Sequence, residues 1–328
     1  MATDPAVMDP PTEFTYGETE PSLVRKLTAE FVGTLLFVAV GAGAAAAYLL
    51  GPLRAFGGLP AVVREQPQNE VTFRALLGNS GADLLPVALA FAAILAVLVY
   101  AFGGVSGGHF NPAVTFALAL SNRFKWTRVL PYWLAQCLGG VAGAFVVAAM
   151  FRGGPGDVDG TDVLFGATTV GTGIEWPQAL LAEAFIAFLL MTAIMAVAVD
   201  PRAPKGWSGL VIGLTLAGGI LVTGPITGGS ANFARSLGPF VASMVFGADN
   251  VPWGDLAWYA AGPIIGAAAA ALVYESVTSL LRAAPPAPEP GAATSEGTTP
   301  PGVQKDDVGT APFSSSSDAP PPPPPPRP

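Results

Sequence analysis

The stretch TGGSANFARSLGP, residues 227–239, lies between long apolar segments and yet holds a charged residue, Arg235. Its Gly228-Gly229-Ser230-Ala231 run is too flexible for a helix interior. Asn232, directly after it, is a good helix N-cap. The pattern predicts an irregular chain that turns and then starts a short helix over about 232–245. An earlier stretch, SGGHFNPAVT at 106–115, has the same order: Ser106-Gly107-Gly108-His109, then Asn111 as cap and Pro112 in the first helical turn. A second short helix is predicted over about 111–121.

The surroundings of both stretches are suited to lipid. Charged residues make up 12% of the 328-residue chain, whereas soluble domains carry about 25%. Six segments are long and apolar enough to span a bilayer, which takes about 20 residues: 27–50, 84–104, 129–151, 178–200, 206–225 and 254–280. They are rich in Gly and Ala, which let helix backbones approach closely in lipid. A large soluble domain is disfavoured, because too few polar faces exist to clothe it. The net charge of −8 comes largely from the tails and suggests no nucleic-acid partner. Cys137 is a single cysteine, which excludes an internal disulfide and fits inert packing on an apolar helix. The polar, acidic first 23 residues lack the apolar core of a cleavable signal peptide.

A repeat orders these segments. LTAEFVGTLLF (27–37) and LLAEAFIAFLL (180–190) each put Ala-Glu early in a span, at Glu30 and Glu183. In each half there follow a second span, a Gly–Asn loop, a short helix and a third span. Three spans per half is an odd number, so the second copy must lie upside down relative to the first. Inverted repeats place their site near the midplane, where discontinuous helices meet. Irregular backbone survives at that depth only where it lines a cavity or is packed in protein. Two half-helix N-termini then aim their partial positive charges at one place, with glycine-loop carbonyls as acceptors on either side. The fold class is an all-α membrane protein with six transmembrane helices and two re-entrant half-helices.

Basic residues suggest orientation. With a cytoplasmic N-terminus, Arg25, Lys26, Arg123, Lys125, Arg128, Arg202, Lys205 and Arg282 lie inside, against Arg54, Arg64, Arg74 and Arg152 outside. That asymmetry follows the positive-inside rule and puts both termini in the cytoplasm. Residues 1–23 and 283–328 are expected to be disordered tails, the latter ending in the proline run Pro320–Pro326. Between them lies one domain, with repeat one over about 24–152 and repeat two over about 176–282.

Over residues 24–282 the chain resembles the aquaporin (major intrinsic protein) family, through Ala-Glu-Phe-Val-Gly-Thr at 29–34, the motif at 106–115, Asn-Phe-Ala-Arg-Ser at 232–236, Ala-Gln at 135–136 and Gly-Pro at 262–263. The resemblance implies a homotetramer in the cell membrane, each subunit having its own pore. It implies that Asn111 and Asn232 donate to the permeant at the midplane, amid Pro112, Ala113, Phe233 and Ala234. It implies an outer constriction of Phe91, Ile220, Gly229 and Arg235, with carbonyls of Gly107, Gly108, His109, Gly228, Gly229 and Ser230 forming a ladder. Glu30 and Glu183 match buried glutamates that hold the loops. Taken from the residues alone, Glu30 and Glu183 fit structural acceptors or proton relays, and the His109 ring fits packing or pore lining. A lone Phe91 fits plain packing.

Two departures stand out. Phe233 replaces the proline expected opposite Pro112, and a larger ring there must displace a neighbour or fill a void. Ile220 stands where the family's strict water channels carry histidine, and the family's usual mercury-sensitive cysteine is Gly229 here. The expected function is a passive channel for water, with modest permeation of small uncharged solutes such as glycerol and exclusion of ions and protons. An aquaglyceroporin-type facilitator is the nearest alternative; a secondary transporter or a non-conducting structural membrane protein are alternatives of other classes. No cofactor, metal or catalytic residue is expected, and lipid, like copies and the permeants are the partners.

Overall fold

The computed structural model describes residues 20–55, 84–153 and 159–282. The predicted disordered tails, apart from residues 20–23, lie outside the described residues, as does the proline run. Among the described residues eight α-helices carry the fold: α1 (Leu23–Ala55), α2 (Leu85–Ser106), α3 (Pro112–Leu120), α4 (Val129–Phe151), α5 (Trp176–Ile194), α6 (Ser208–Thr227), α7 (Phe233–Val245) and α8 (Leu256–Arg282). Six helical spans among the described residues are long and apolar enough to cross a membrane. α3 and α7 are the two short half-helices.

The packing repeats with the sequence. α1 packs on α2 and α4, and α5 packs on α6 and α8 in the same way. Each half-helix packs on the last span of the opposite half, α3 on α8 and α7 on α4, while α2 meets α6. Glycines four residues apart make the close crossings. A methyl group at Gly139 or Gly143 of α4 would collide with α1 at Phe31 or Leu35, and one at Gly262 or Gly266 of α8 would collide with α5 at Glu183 or Ala184. In lipid such approach supplies the packing that water-driven burial cannot. Large apolar side chains such as Leu36, Leu89, Leu138, Leu181, Leu214 and Leu272 face outward.

The caps form where the sequence put them. The Asn111 side-chain oxygen accepts from Ala113 N, and Pro112 is the first residue of α3. The Asn232 oxygen accepts from Ala234 N and Arg235 N at the start of α7. Such a cap stabilises a helix by about 1 kcal/mol, which matters in helices of 9 and 13 residues. Two features go beyond the sequence reading. α5 ends in a π-turn over Met195–Val199. The link between α4 and α5 contains a kinked 3₁₀ segment, Gly160–Gly166, whose backbone leaves helical geometry at Val163, Leu164 and Phe165 and which packs on α1 and α7.

Candidate pore and its constrictions

Two buried carboxylates position the loops. Glu30 on α1 is fully buried. Its Oε1 accepts from Ser106 Oγ at 2.7 Å and His109 N at 3.0 Å, and its Oε2 accepts from Phe110 N at 2.7 Å and Gln136 Nε2 at 2.8 Å. Glu183 on α5 repeats the arrangement, accepting from Thr227 Oγ1 at 2.6 Å, Ser230 N at 3.0 Å and Ala231 N at 2.8 Å. Every partner is a donor, as suits an ionised carboxylate. Phe110 (φ 48°) and Ala231 (φ 55°) sit in the left-handed region, a strain of about 1–3 kcal/mol each for non-glycine residues. Both strained residues give their N–H to a glutamate, so the carboxylates hold the turns in place.

The loops then lock head to head. Asn111 Nδ2 donates to Ala231 O at 2.8 Å, and Asn232 Nδ2 donates to Phe110 O at 2.9 Å. Each asparagine therefore caps its own half-helix through oxygen and ties the opposite loop through one N–H. An amide nitrogen has two N–H groups, so one on each side chain is without an acceptor among the described residues. The opposed dipole ends that the sequence implied do meet here.

Carbonyls along the loops divide into two groups. Those of Ser106 and Thr227 accept from Tyr132 Oη at 2.9 Å and Tyr259 Oη at 2.6 Å. Those of Phe110 and Ala231 accept from the asparagines. Between them, the carbonyls of Gly107, Gly108, His109, Gly228, Gly229 and Ser230 accept no hydrogen bond among the described residues. Left-handed turns at Gly107 (φ 94°) and Gly228 (φ 79°) lead the chain into this geometry.

His109 is tied by its ring. The Thr115 hydroxyl donates to Asn111 O at 3.0 Å and accepts from Gln136 Nε2 at 2.9 Å. With the hydroxyl proton so engaged, the 3.1 Å contact to His109 Nδ1 makes that nitrogen the donor and leaves Nε2 an acceptor. The ring also packs edge-on against Phe124 and tilted against Tyr132, at 4.8 and 5.3 Å between centroids. Packing and lining coexist in this residue.

A cavity runs along one side of the asparagine pair. Asn111, Asn232, Gly107, Gly108, His109 and Ser230 give it a polar stripe, and Phe37, Leu95, Val99, Val114, Leu118, Leu190, Ile194, Ile212 and Leu216 give it an apolar wall. Along α2 the wall residues are Leu95 and Val99, and along α6 they are Leu216 and Ile212. Phe91 and Ile220 are one turn further along the same helices, in the opposite direction from the cavity. There they meet Arg235 and Gly229. The Arg235 guanidinium lies 5.0 Å from the Phe91 ring centroid, and its Nη2 donates to Gly166 O at 3.1 Å. Its Nη1 is buried without a partner among the described residues. A methyl group on Gly229 would lie 3.1 Å from Ile220 Cα. Two pairs of the inferred outer constriction are thus neighbours, Phe91 with Arg235 and Ile220 with Gly229.

Pro112, Ala113 and Ala234 are buried beside the junction without lining the cavity. Phe233 is half-buried at the head of α7, outside both the cavity wall and the apolar core. Both asparagine cross-bonds stay below 3 Å, so the larger ring does not part the loops. Sequence reasoning missed Tyr132 and Tyr259, which hold the first carbonyl of each loop. It also missed Gly166, the acceptor for Arg235. The tyrosines were detectable as hydroxyl-bearing rings at matching places, early in the third span of each half.

An inverted repeat of membrane-spanning helices, with paired half-helices capped by cross-bonded asparagines, defines a pore-type membrane protein. A family model described as "Major intrinsic protein" matches residues 18–274. The chain is 42% identical over 258 residues to Aquaporin AqpM of Methanothermobacter marburgensis, covering 79% of this chain and 99% of the relative. It is 40% identical over 253 residues to the Probable aquaporin AqpM of Archaeoglobus fulgidus, covering 77% and 96%. Its fold is similar to the X-ray structure of the aquaglyceroporin from Plasmodium falciparum, with a TM-score of 0.62 at 21% identity, covering 79% of this chain and 98% of that one. The chain belongs to the major intrinsic protein family.

Proposed function

We infer that this chain is a passive channel that conducts water, admits small uncharged solutes such as glycerol to a modest extent, and excludes ions and protons. The observation that carries the reading is the set of six loop carbonyls that accept no hydrogen bond among the described residues, three in each loop, with the cross-bonded Asn111 and Asn232 between the two sets. Such a row replaces the hydrogen bonds that a permeant loses on leaving bulk water. Relatives named aquaporin at 40–42% identity support it.

The roles follow from the placements. Arg235 is a full positive charge at the constriction, with Nη1 meeting no acceptor among the described residues. Together with the positive ends of α3 and α7 it opposes cations and protons. Glu30 and Glu183 act as fixed acceptors that hold the loops. Their oxygens are engaged by loop donors, which favours a channel over a transporter with titrating carboxylates. Phe91, Ile220 and Gly229 complete the filter, whose Ile220 side is apolar. Water loses a partner there, while a solute with CH and OH edges gains a matching wall.

The reading extends to a homotetramer in the cell membrane with both termini cytoplasmic; the outward apolar faces support the membrane and the basic-residue asymmetry supports the orientation. Stopped-flow light scattering on proteoliposomes, comparing water with glycerol, tests the reading. Ile220→His adds a polar donor to the apolar side of the filter and is expected to lower glycerol flux much more than water flux. Complete glycerol exclusion by the wild type, or an unchanged glycerol-to-water ratio in the variant, would refute this account of the filter.

A further inference from the structure

We propose that Gly41, a buried residue of α1 outside the pore wall, sets the bore of the outer constriction by giving the Phe91 ring its place. This rests on the reading of Phe91 as a wall of that constriction. A methyl group at Gly41 would fall on Cε1, Cδ1 and Cζ of the Phe91 ring, so side chain and ring cannot share the space. The ring has no other slack. It is 3% exposed, meets Phe37 of α1 edge-on at 5.2 Å, and carries the Arg235 guanidinium 5.0 Å from its centroid. Interiors packed at this density respond to a single added methyl group. A ring pushed away from α1 moves against Arg235 and into the opening that Arg235, Ile220 and Gly229 share. Two turns earlier on α1, Gly33 seats the Phe110 ring in the same manner. α1 therefore holds an aromatic ring at two heights, one at the asparagine junction and one at the filter. Gly41 is a positioning residue, since its effect reaches the permeant only through Phe91.

The test uses the full chain in proteoliposomes, with water and glycerol rates measured on the same preparation. Gly41→Ala is expected to lower the glycerol-to-water ratio by at least about fivefold, because a narrowed ring rejects the wider solute first. In a Phe91→Leu background, where the shorter side chain leaves room for the new methyl group, Gly41→Ala is expected to leave the ratio unchanged. An unchanged ratio in the single variant, or an equal fall in both backgrounds, overturns the proposal, because the double-mutant cycle would then show no coupling. Should Gly41→Ala yield no folded protein, Phe91→Leu in the same chain must restore folding, read by thermal unfolding in detergent. Failure of that rescue also overturns the proposal. A wild type that conducts neither solute would sink the channel reading, and the unfolding measurement would still decide on Gly41.

Discussion

Replacing Glu183 by glutamine keeps the shape of the side chain and removes its charge. In the native site Oε1 accepts from Thr227 Oγ1 and Ser230 N, and Oε2 accepts from Ala231 N. The amide NH₂ of glutamine must occupy one of those two places. At Oε2 it faces the Ala231 N–H, and at Oε1 it faces the Ser230 N–H, whereas the Thr227 hydroxyl can turn and accept. One fully buried backbone donor is left without an acceptor in either case. A hydrogen bond to a charged group contributes about 1.5–3 kcal/mol. Ala231, at φ 55°, also loses part of what holds it in a strained conformation. The second loop should therefore be destabilised by about 2–3 kcal/mol, a roughly 30- to 150-fold shift in the population of its ordered form. Because Asn232 and Arg235 follow directly on that loop, water permeability per reconstituted protein should fall along with the thermal midpoint in detergent. Proton leak should stay at the wild-type level, because the carboxylate is an acceptor and not a relay. A Glu183→Gln protein with wild-type midpoint and wild-type water flux would refute the holding role.

Three further outcomes follow from other parts of the molecule. Arg235→Val should leave water flux in place and raise proton and ammonium leak, measured with pH-sensitive dye in the vesicles; unchanged leak would remove Arg235 from the barrier. Mercurials should inhibit water flux weakly, since Gly229 has no thiol and Cys137 is outside the cavity wall, and strong block abolished by Cys137→Ser would contradict that placement. Glu20 accepts from Lys26 Nζ at 2.5 Å and Arg128 Nη1 at 3.1 Å, and these bonds hold its carboxyl at about 2, below the ordinary 4.5. The tie between the start of α1 and the approach to α4 is therefore complete above pH 4.5 and is lost as pH falls through about 2. Thermal midpoints should decline over that window in the wild type and decline less in Glu20→Gln.

Much of the site was legible because its residues break local rules. Asn111 and Asn232 are capping residues inside apolar sequence, Gly107-Gly108 and Gly228-Gly229 forbid continuous helix, and Glu30 and Glu183 are charges that lipid does not tolerate unpaired. Each of these signals is local, and their repetition supplied the inverted symmetry. The rest depended on distant contacts. The 3₁₀ segment carries no periodicity; its shape relies on Leu164 and Phe165, both at φ 48°, and on Gly166 lying against Ala42 of α1. No sequence rule places the Gly166 carbonyl beside Arg235. The matching positions of Tyr132 and Tyr259 in the two halves were visible in the sequence, but the carbonyls that their hydroxyls reach were not. Phe233 was expected to displace a neighbour or fill a void; it is half-buried at the head of α7 and outside the cavity wall, a position that depends on the packing around α7.

The central claim is that water crosses through the asparagine junction in single file and that charge does not. The most direct measurement is osmotic water permeability of proteoliposomes as a function of temperature, with ion current recorded from the same protein in planar bilayers. Permeability well above that of protein-free vesicles, weakly dependent on temperature and without ion current, is the predicted result. Permeability and temperature dependence equal to those of protein-free vesicles, or a conductance carried by ions, would contradict it.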